Sequence, residues 1–77
     1  MATIKVSLVY NNPVQLTDGT QDTLIQSDRG ILFCLAESLT KPTDLKARVL
    51  VNEISGTSGK KLWAWPNGDV PTTVNIL

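Results

Sequence analysis

Gly30-Ile31-Leu32-Phe33-Cys34-Leu35-Ala36 is the stretch that decides the fold, because it carries no polar side chain at any position. Side chains of a strand point alternately to opposite faces. The two faces here are Ile31, Phe33, Leu35 and Leu32, Cys34, Ala36. A strand with one wet face would alternate apolar and polar residues, so this pattern predicts either the central strand of a two-layer structure or a strand whose outer face meets another chain. A buried helix is the competing interpretation, but the short run and its β-favouring residues favour a strand.

The rest of the chain is predicted to form further strands, separated by turn residues. The predicted flanking strands are residues 3–10, 14–16, 23–26, 48–51, 60–65 and 72–77. Ser27-Asp28-Arg29-Gly30 predicts a hairpin between the strand at 23–26 and the central strand, whereas residues 52–59 have the composition of a flexible loop. Strands at this spacing predict an all-β fold, a small β-sandwich or barrel of about six to seven short antiparallel strands. Residues 1–77 are expected to form a single β domain.

The composition argues against several classes of partner and against a disulfide or zinc site as a source of stability. Seven basic residues balance seven acidic ones, which argues against nucleic acid and against an anionic membrane surface. No apolar run approaches the roughly 20 residues of a membrane span, and the N-terminus does not read as a signal peptide. The chain has one cysteine and no histidine, so neither an internal disulfide nor a zinc site of the usual kind is expected. Oligomerisation therefore remains as the extra stabilisation that a chain of this size usually needs.

The sequence offers no set of side chains for catalysis. Without histidine there is no ready base near neutral pH. Cys34 lies in the apolar run, which predicts a buried, inert thiol with a raised pKa. Glu37 ends that run and is expected to reach water, with pairing to a basic side chain as the alternative. Residues 56–61 suggest a phosphate-binding loop, but the glycine spacing is short and a strand follows, so a hairpin tip is expected. We therefore predict no catalytic residue, no metal and no cofactor.

Trp63 and Trp65 are two residues apart and should share one face of a strand. Such a pair could anchor the core, form a subunit contact, provide a platform for a sugar or stack nucleic-acid bases. The neighbours Leu62, Ala64 and Pro66 are apolar, which favours the core or a subunit contact. Sugar binding is the second interpretation, and a barrel that binds single-stranded nucleic acid is the third.

Several short motifs, in their order along the chain, carry a resemblance to a known group of proteins. They are Met-Ala-Thr-Ile-Lys-Val at 1–6, Thr-Leu-Ile-Gln-Ser at 23–27, Ala-Glu-Ser at 36–38, Lys-Pro-Thr at 41–43, Lys-Leu-Trp-Ala-Trp at 61–65 and Thr-Thr-Val at 72–74. In this pattern the chain resembles the small all-β virion proteins of tailed bacteriophages, of the head-decoration, head-fibre or tail-attachment type. Residues 52–59 have no counterpart in that pattern.

The resemblance implies a non-enzymatic structural protein of a phage particle, made in the host cytoplasm and located in the virion. It implies self-association, with a trimer favoured, and docking on other virion proteins, and it brings no catalytic residues. Trp63, Trp65, Phe33 and Leu35 are the candidate core, subunit or ligand contacts. The alternative function is a carbohydrate-binding β module that uses Trp63 and Trp65, with a glycan as the partner.

Overall fold

The computed structural model describes residues 4–77, whose strands form two antiparallel sheets of four strands each. The strands are β1 (Ile4–Ser7), β2 (Val14–Gln15), β3 (Ile25–Ser27), β4 (Phe33–Glu37), β5 (Val49–Val51), β6 (Glu53–Ile54), β7 (Leu62–Pro66) and β8 (Thr73–Ile76). The first sheet has the order β1-β8-β3-β6, and the second has the order β2-β7-β4-β5. The prediction of a small all-β sandwich is confirmed, with one more strand than the upper expected number.

The apolar stretch forms β4, an internal strand of the second sheet that pairs with β5 on one side and with β7 on the other. Phe33 and Leu35 point between the sheets and are 0% and 3% exposed. They belong to the core, whose buried members are Leu8, Leu16, Ile25, Phe33, Leu35, Leu62, Ala64 and Val74. The prediction of a central strand is confirmed, although the strand begins at Phe33 and not at Gly30.

The predicted hairpin between the third strand and the central strand is wrong. β3 pairs with β6 and β8 in the first sheet, whereas β4 lies in the second sheet. A 3₁₀ turn over Asp28–Gly30 joins them, and Arg29 and Gly30 both have positive φ, at 60° and 68°. This turn carries the chain from one sheet to the other. Turn-forming residues predict a change of direction, but they do not specify whether the following strand pairs with the preceding one.

Residues 52–59 were expected to be a flexible loop and residues 56–61 a hairpin tip, but this part of the chain contains β6 and a connection between the sheets. β6 pairs with β3 in the first sheet, and the next strand, β7, lies in the second. Thr57 is 0% exposed. Its hydroxyl accepts a hydrogen bond from the backbone N–H of Thr23 at 2.9 Å and donates to the carbonyl of Gln21 at 3.3 Å. The connection is therefore tied to the chain before β3, and the expectation of a hairpin tip is wrong.

Replacing Thr57 by valine is expected to lower the free energy of unfolding by about 1–3 kcal/mol, because the partly buried N–H of Thr23 loses its acceptor. The change keeps the volume of the side chain and removes only the hydroxyl. Urea denaturation followed by circular dichroism measures the loss. Ser58→Ala is the control, since Ser58 is exposed and should change stability by no more than about 0.5 kcal/mol. Equal stability of the two variants would show that the Thr57 hydroxyl does not hold this connection.

Candidate interaction surface

The outer face of the first sheet is polar. Lys5 lies opposite Asn75, Asn75 opposite Gln26, and Gln26 opposite Glu53, so one polar row crosses all four strands. The Gln26 amide donates to the Glu53 carboxylate at 2.5 Å, and the Asn75 amide donates to the Asp28 carboxylate at 2.7 Å. Both amide NH₂ groups thus donate to a carboxylate, whereas the Oδ1 atom of Asn75 is buried without a hydrogen-bond partner among residues 4–77. A polar outer face suits contact with water, which is the usual state of one face of an antiparallel sheet.

The outer face of the second sheet is mainly apolar, in contrast, with the polar Gln15 of β2 opposite Trp63 at one edge. Cys34 of β4 lies between Leu50 of β5 and Trp65 of β7, and Ala36 lies opposite Trp63. We call this surface the apolar face, and its members are Leu32, Cys34, Ala36, Leu50, Trp63 and Trp65. Both faces of β4 are therefore apolar. Its inner side chains pack between the sheets, and its outer side chains form part of the apolar face.

Residues 38–48, which we call the strap, cover part of the apolar face. The Trp63 indole N–H donates to the Ser38 carbonyl at 2.9 Å, and this fixes one end of the strap. At the other end, Leu45 and Arg48 line a small pocket of about 210 Å³ together with Cys34 and Trp65. Asn11, Asn67 and Gly68 of two neighbouring turns line the same pocket, and Cys34 and Trp65 are each only 2% exposed. The strap and these turns therefore lie together over this part of the apolar face.

The four predicted contact residues lie on opposite sides of one sheet and do not form a single site. Phe33 and Leu35 are core side chains, one of the roles that the sequence left open for them. Trp63 and Trp65 share a face, as predicted, but it is the apolar face and not the core. Trp65 is buried, whereas Trp63 is half-buried. Glu37 is exposed and lines a shallow groove with Asp18 and Lys61.

The part of the apolar surface left open lies at the β5 edge of the second sheet. Leu32 is 47% exposed, Leu50 is 45% exposed and Val49 is 58% exposed. The sequence placed Leu32 on the second apolar face of the central strand, whereas Val49 and Leu50 were not singled out as candidate contacts. The run Val49-Leu50-Val51 is apolar on both faces, as β4 is. Three residues are too few, however, to distinguish an internal strand from an edge strand by their sequence.

The thiol of Cys34 is buried between strands, and its Sγ lies 3.8 Å from the Pro66 carbonyl. Burial raises the pKa of the Cys34 thiol, and the nearby Arg48 guanidinium opposes that rise in part. The predicted buried thiol with a raised pKa is therefore confirmed. It lies on the outer face of β4, opposite Leu50 and Trp65, whereas the main hydrophobic cluster lies between the sheets.

Raising the pH into the alkaline range is expected to destabilise the wild type through Cys34. The folded state disfavours the thiolate, so ionisation of Cys34 costs stability. Its contribution to the free energy of unfolding is fully present below the ordinary pKa of a thiol and is lost as the pH rises toward the raised pKa of the folded state. Urea denaturation at neutral and alkaline pH measures the loss. Lysine and tyrosine also titrate there, so the same series on Cys34→Ala isolates the thiol. A wild type and variant with parallel pH profiles would contradict the burial of the thiol.

Comparison of the chain with protein-family models, with curated proteins and with solved structures finds no match. Within residues 4–77, no group of three or more carboxylate or thiol side chains is placed to hold a metal ion. Across the same residues, no helix has the length and apolar character needed to cross a bilayer. Val49 and Leu50 are two exposed large apolar side chains next to each other on an edge strand, β5.

Proposed function

We propose that this chain is a non-enzymatic structural protein of a bacteriophage particle, a capsid-decoration, head-fibre or tail component. It acts by self-association and by docking on other virion proteins. The observation that supports this proposal is the edge strand β5, where Leu50 and the nearby Leu32 are exposed and Val49 is exposed on the opposite face of the sheet. An unpaired strand edge is a template for pairing with another chain, and exposed apolar side chains on it favour such a contact.

The small core gives a second reason for assembly. A chain of 77 residues is expected to draw only about 3–5 kcal/mol from its own core. Self-association adds stability by mass action, because the folded form is the one that binds. The motif order that resembles tailed-phage virion proteins supplies the location, which is the virion, after synthesis in the host cytoplasm. The lone buried thiol fits that reducing compartment.

A carbohydrate-binding module that uses both tryptophans has less support. Trp65 is 2% exposed under the strap, so its ring cannot stack on a sugar unless the strap moves. The Trp63 indole N–H already donates to the Ser38 carbonyl. A tryptophan sugar platform needs exposed ring faces with polar partners beside them, and the structure offers at most the half-buried ring of Trp63.

The location is tested on particles purified from the phage that encodes the chain. Banded particles are washed at high salt, and their proteins are quantified by mass spectrometry against the major capsid protein. The expected result is a fixed copy number per particle that survives the wash. A non-structural phage protein from the same lysate is the control for carry-over. Presence of the chain in the lysate but not in washed particles would contradict the proposal.

A further inference from the structure

β5 differs from the other terminal strands formed by residues 4–77 in having neither a charged side chain nor a neighbouring proline to discourage pairing. β1 carries Lys5 and β6 carries Glu53, and charged side chains are the usual defence of an open edge. β2 has only two residues and follows Pro13, so shortness and a missing N–H donor protect it. β5 is Val49-Leu50-Val51, with no charge and no proline, and it pairs only with β4.

The side chains of this edge are apolar on both faces of the sheet. Leu50 lies opposite Cys34 on the apolar face, and Leu32 is on that same face. Val49 lies opposite Leu35, on the other face, and is 58% exposed. A solvated edge strand would present polar groups on at least one face. Apolar side chains on both faces of a strand indicate that both faces are covered, yet Leu50 and Val49 remain 45% and 58% exposed in the single chain.

We propose that β5 pairs antiparallel with β5 of a second copy of the chain, about a two-fold axis at Leu50. This inference rests on the proposed self-association and specifies its contact. A continuous sheet requires like faces to match, so Leu50 lies opposite Leu50 of the second copy, and Val49 lies opposite Val51. Shifting the register by two residues would place Arg48 or Asn52 opposite Leu50, which loses an apolar cross-strand pair.

Charge is compatible with this register. Arg48 falls opposite Asn52 of the second copy, so the guanidinium does not meet its own symmetry mate. The two four-stranded sheets then join into one sheet of eight strands, and Leu32 of each copy flanks the contact. A two-fold contact between identical surfaces closes as a dimer. A trimer, the size favoured from the sequence, requires a different, head-to-tail contact.

Cysteine cross-linking tests the contact at the level of one residue pair. Leu50→Cys is made in a Cys34→Ala background and oxidised mildly, and non-reducing gels measure the disulfide-linked dimer. Residues directly opposite in an antiparallel pair have Cα atoms about 4.5–5.5 Å apart, a separation that a disulfide can bridge. The control is Val70→Cys in the same background, because Val70 is 43% exposed and Leu50 is 45% exposed. We expect at least about tenfold faster cross-linking at position 50.

A second variant separates this inference from the proposed function. Leu50→Lys places a charge on the edge, which blocks strand pairing at a position exposed enough to accept it, so we expect a folded monomer by light scattering and circular dichroism. A wild type that assembles, with Leu50→Lys assembling equally, would overturn the β5 contact and leave the structural role intact. A wild-type trimer, pairing of β5 with a different virion protein, or equal cross-linking at positions 50 and 70 would also overturn the contact. A strictly monomeric wild type would overturn self-association itself.

Discussion

Replacing Phe33 by alanine is expected to leave most of the chain unfolded at 25 °C. The Phe33 side chain is 0% exposed and is the largest fully buried one in the described chain. Truncation of a buried phenylalanine costs about 3–5 kcal/mol, because the transfer free energy is lost and a cavity remains. That cost is comparable to the roughly 3–5 kcal/mol that a core of this size supplies. Circular dichroism at several protein concentrations measures the folded fraction, since assembly would partly restore it.

Leu32→Ala is the matched control for Phe33, since it truncates the adjacent side chain on the opposite face of the same stretch. Leu32 is 47% exposed, so the expected loss is at most about 1 kcal/mol. Substitution by aspartate should separate the two positions further. Phe33→Asp should unfold the chain, whereas Leu32→Asp should leave a folded chain with weakened assembly. A folded Phe33→Asp variant, or an unfolded Leu32→Asp variant, would show that the two faces of β4 are assigned the wrong way round.

Replacing Trp65 by alanine is expected to cost about 3–5 kcal/mol, as much as a substitution in the core. The residue lies outside the core, but it is 2% exposed because the strap covers it. Its removal opens a cavity directly beside Cys34, its partner across β4 and β7. We therefore expect a second effect, faster reaction of the Cys34 thiol with a thiol reagent. Urea denaturation measures the first effect, and the rate of thiol labelling measures the second.

Trp63→Phe is the control for Trp65, and it also provides a direct probe of the strap. The change keeps an aromatic ring and removes the N–H donor to the Ser38 carbonyl, at an expected cost of about 1 kcal/mol. Trp65 is then the single tryptophan, and its emission should be blue-shifted and protected from iodide. A red-shifted emission that iodide quenches would show that the strap does not cover Trp65, and would restore the case for a sugar platform.

The architecture could be predicted from residue patterns that depend on local geometry. An apolar run without alternation predicts an internal strand, and β4 is one. In the last strand, Val74 and Ile76 are two residues apart and share a face, and both pack in or against the core. These inferences succeed because the period of side chains along a strand is fixed by the backbone itself.

The pairing of strands could not be predicted in the same way, because it depends on contacts distant in sequence. Asp28–Gly30 has the composition of a hairpin turn, yet it connects the two sheets. Thr57 sits in a segment rich in glycine, serine and threonine, and only its partners at Gln21 and Thr23 reveal that it is an anchor. For the candidate surface, the shared face of Trp63 and Trp65 was predictable, whereas the strap that buries Trp65 was not.

The molecular mass of the wild-type chain in solution tests self-association through the β5 edge most directly. Light scattering on the purified chain should give twice the 8.4 kDa mass of a single chain at high micromolar concentration. The mass should fall toward that of one chain on dilution, because a three-residue edge makes a small contact. A folded chain that stays at 8.4 kDa at every concentration would contradict self-association, and a stable trimer would contradict the two-fold β5 contact.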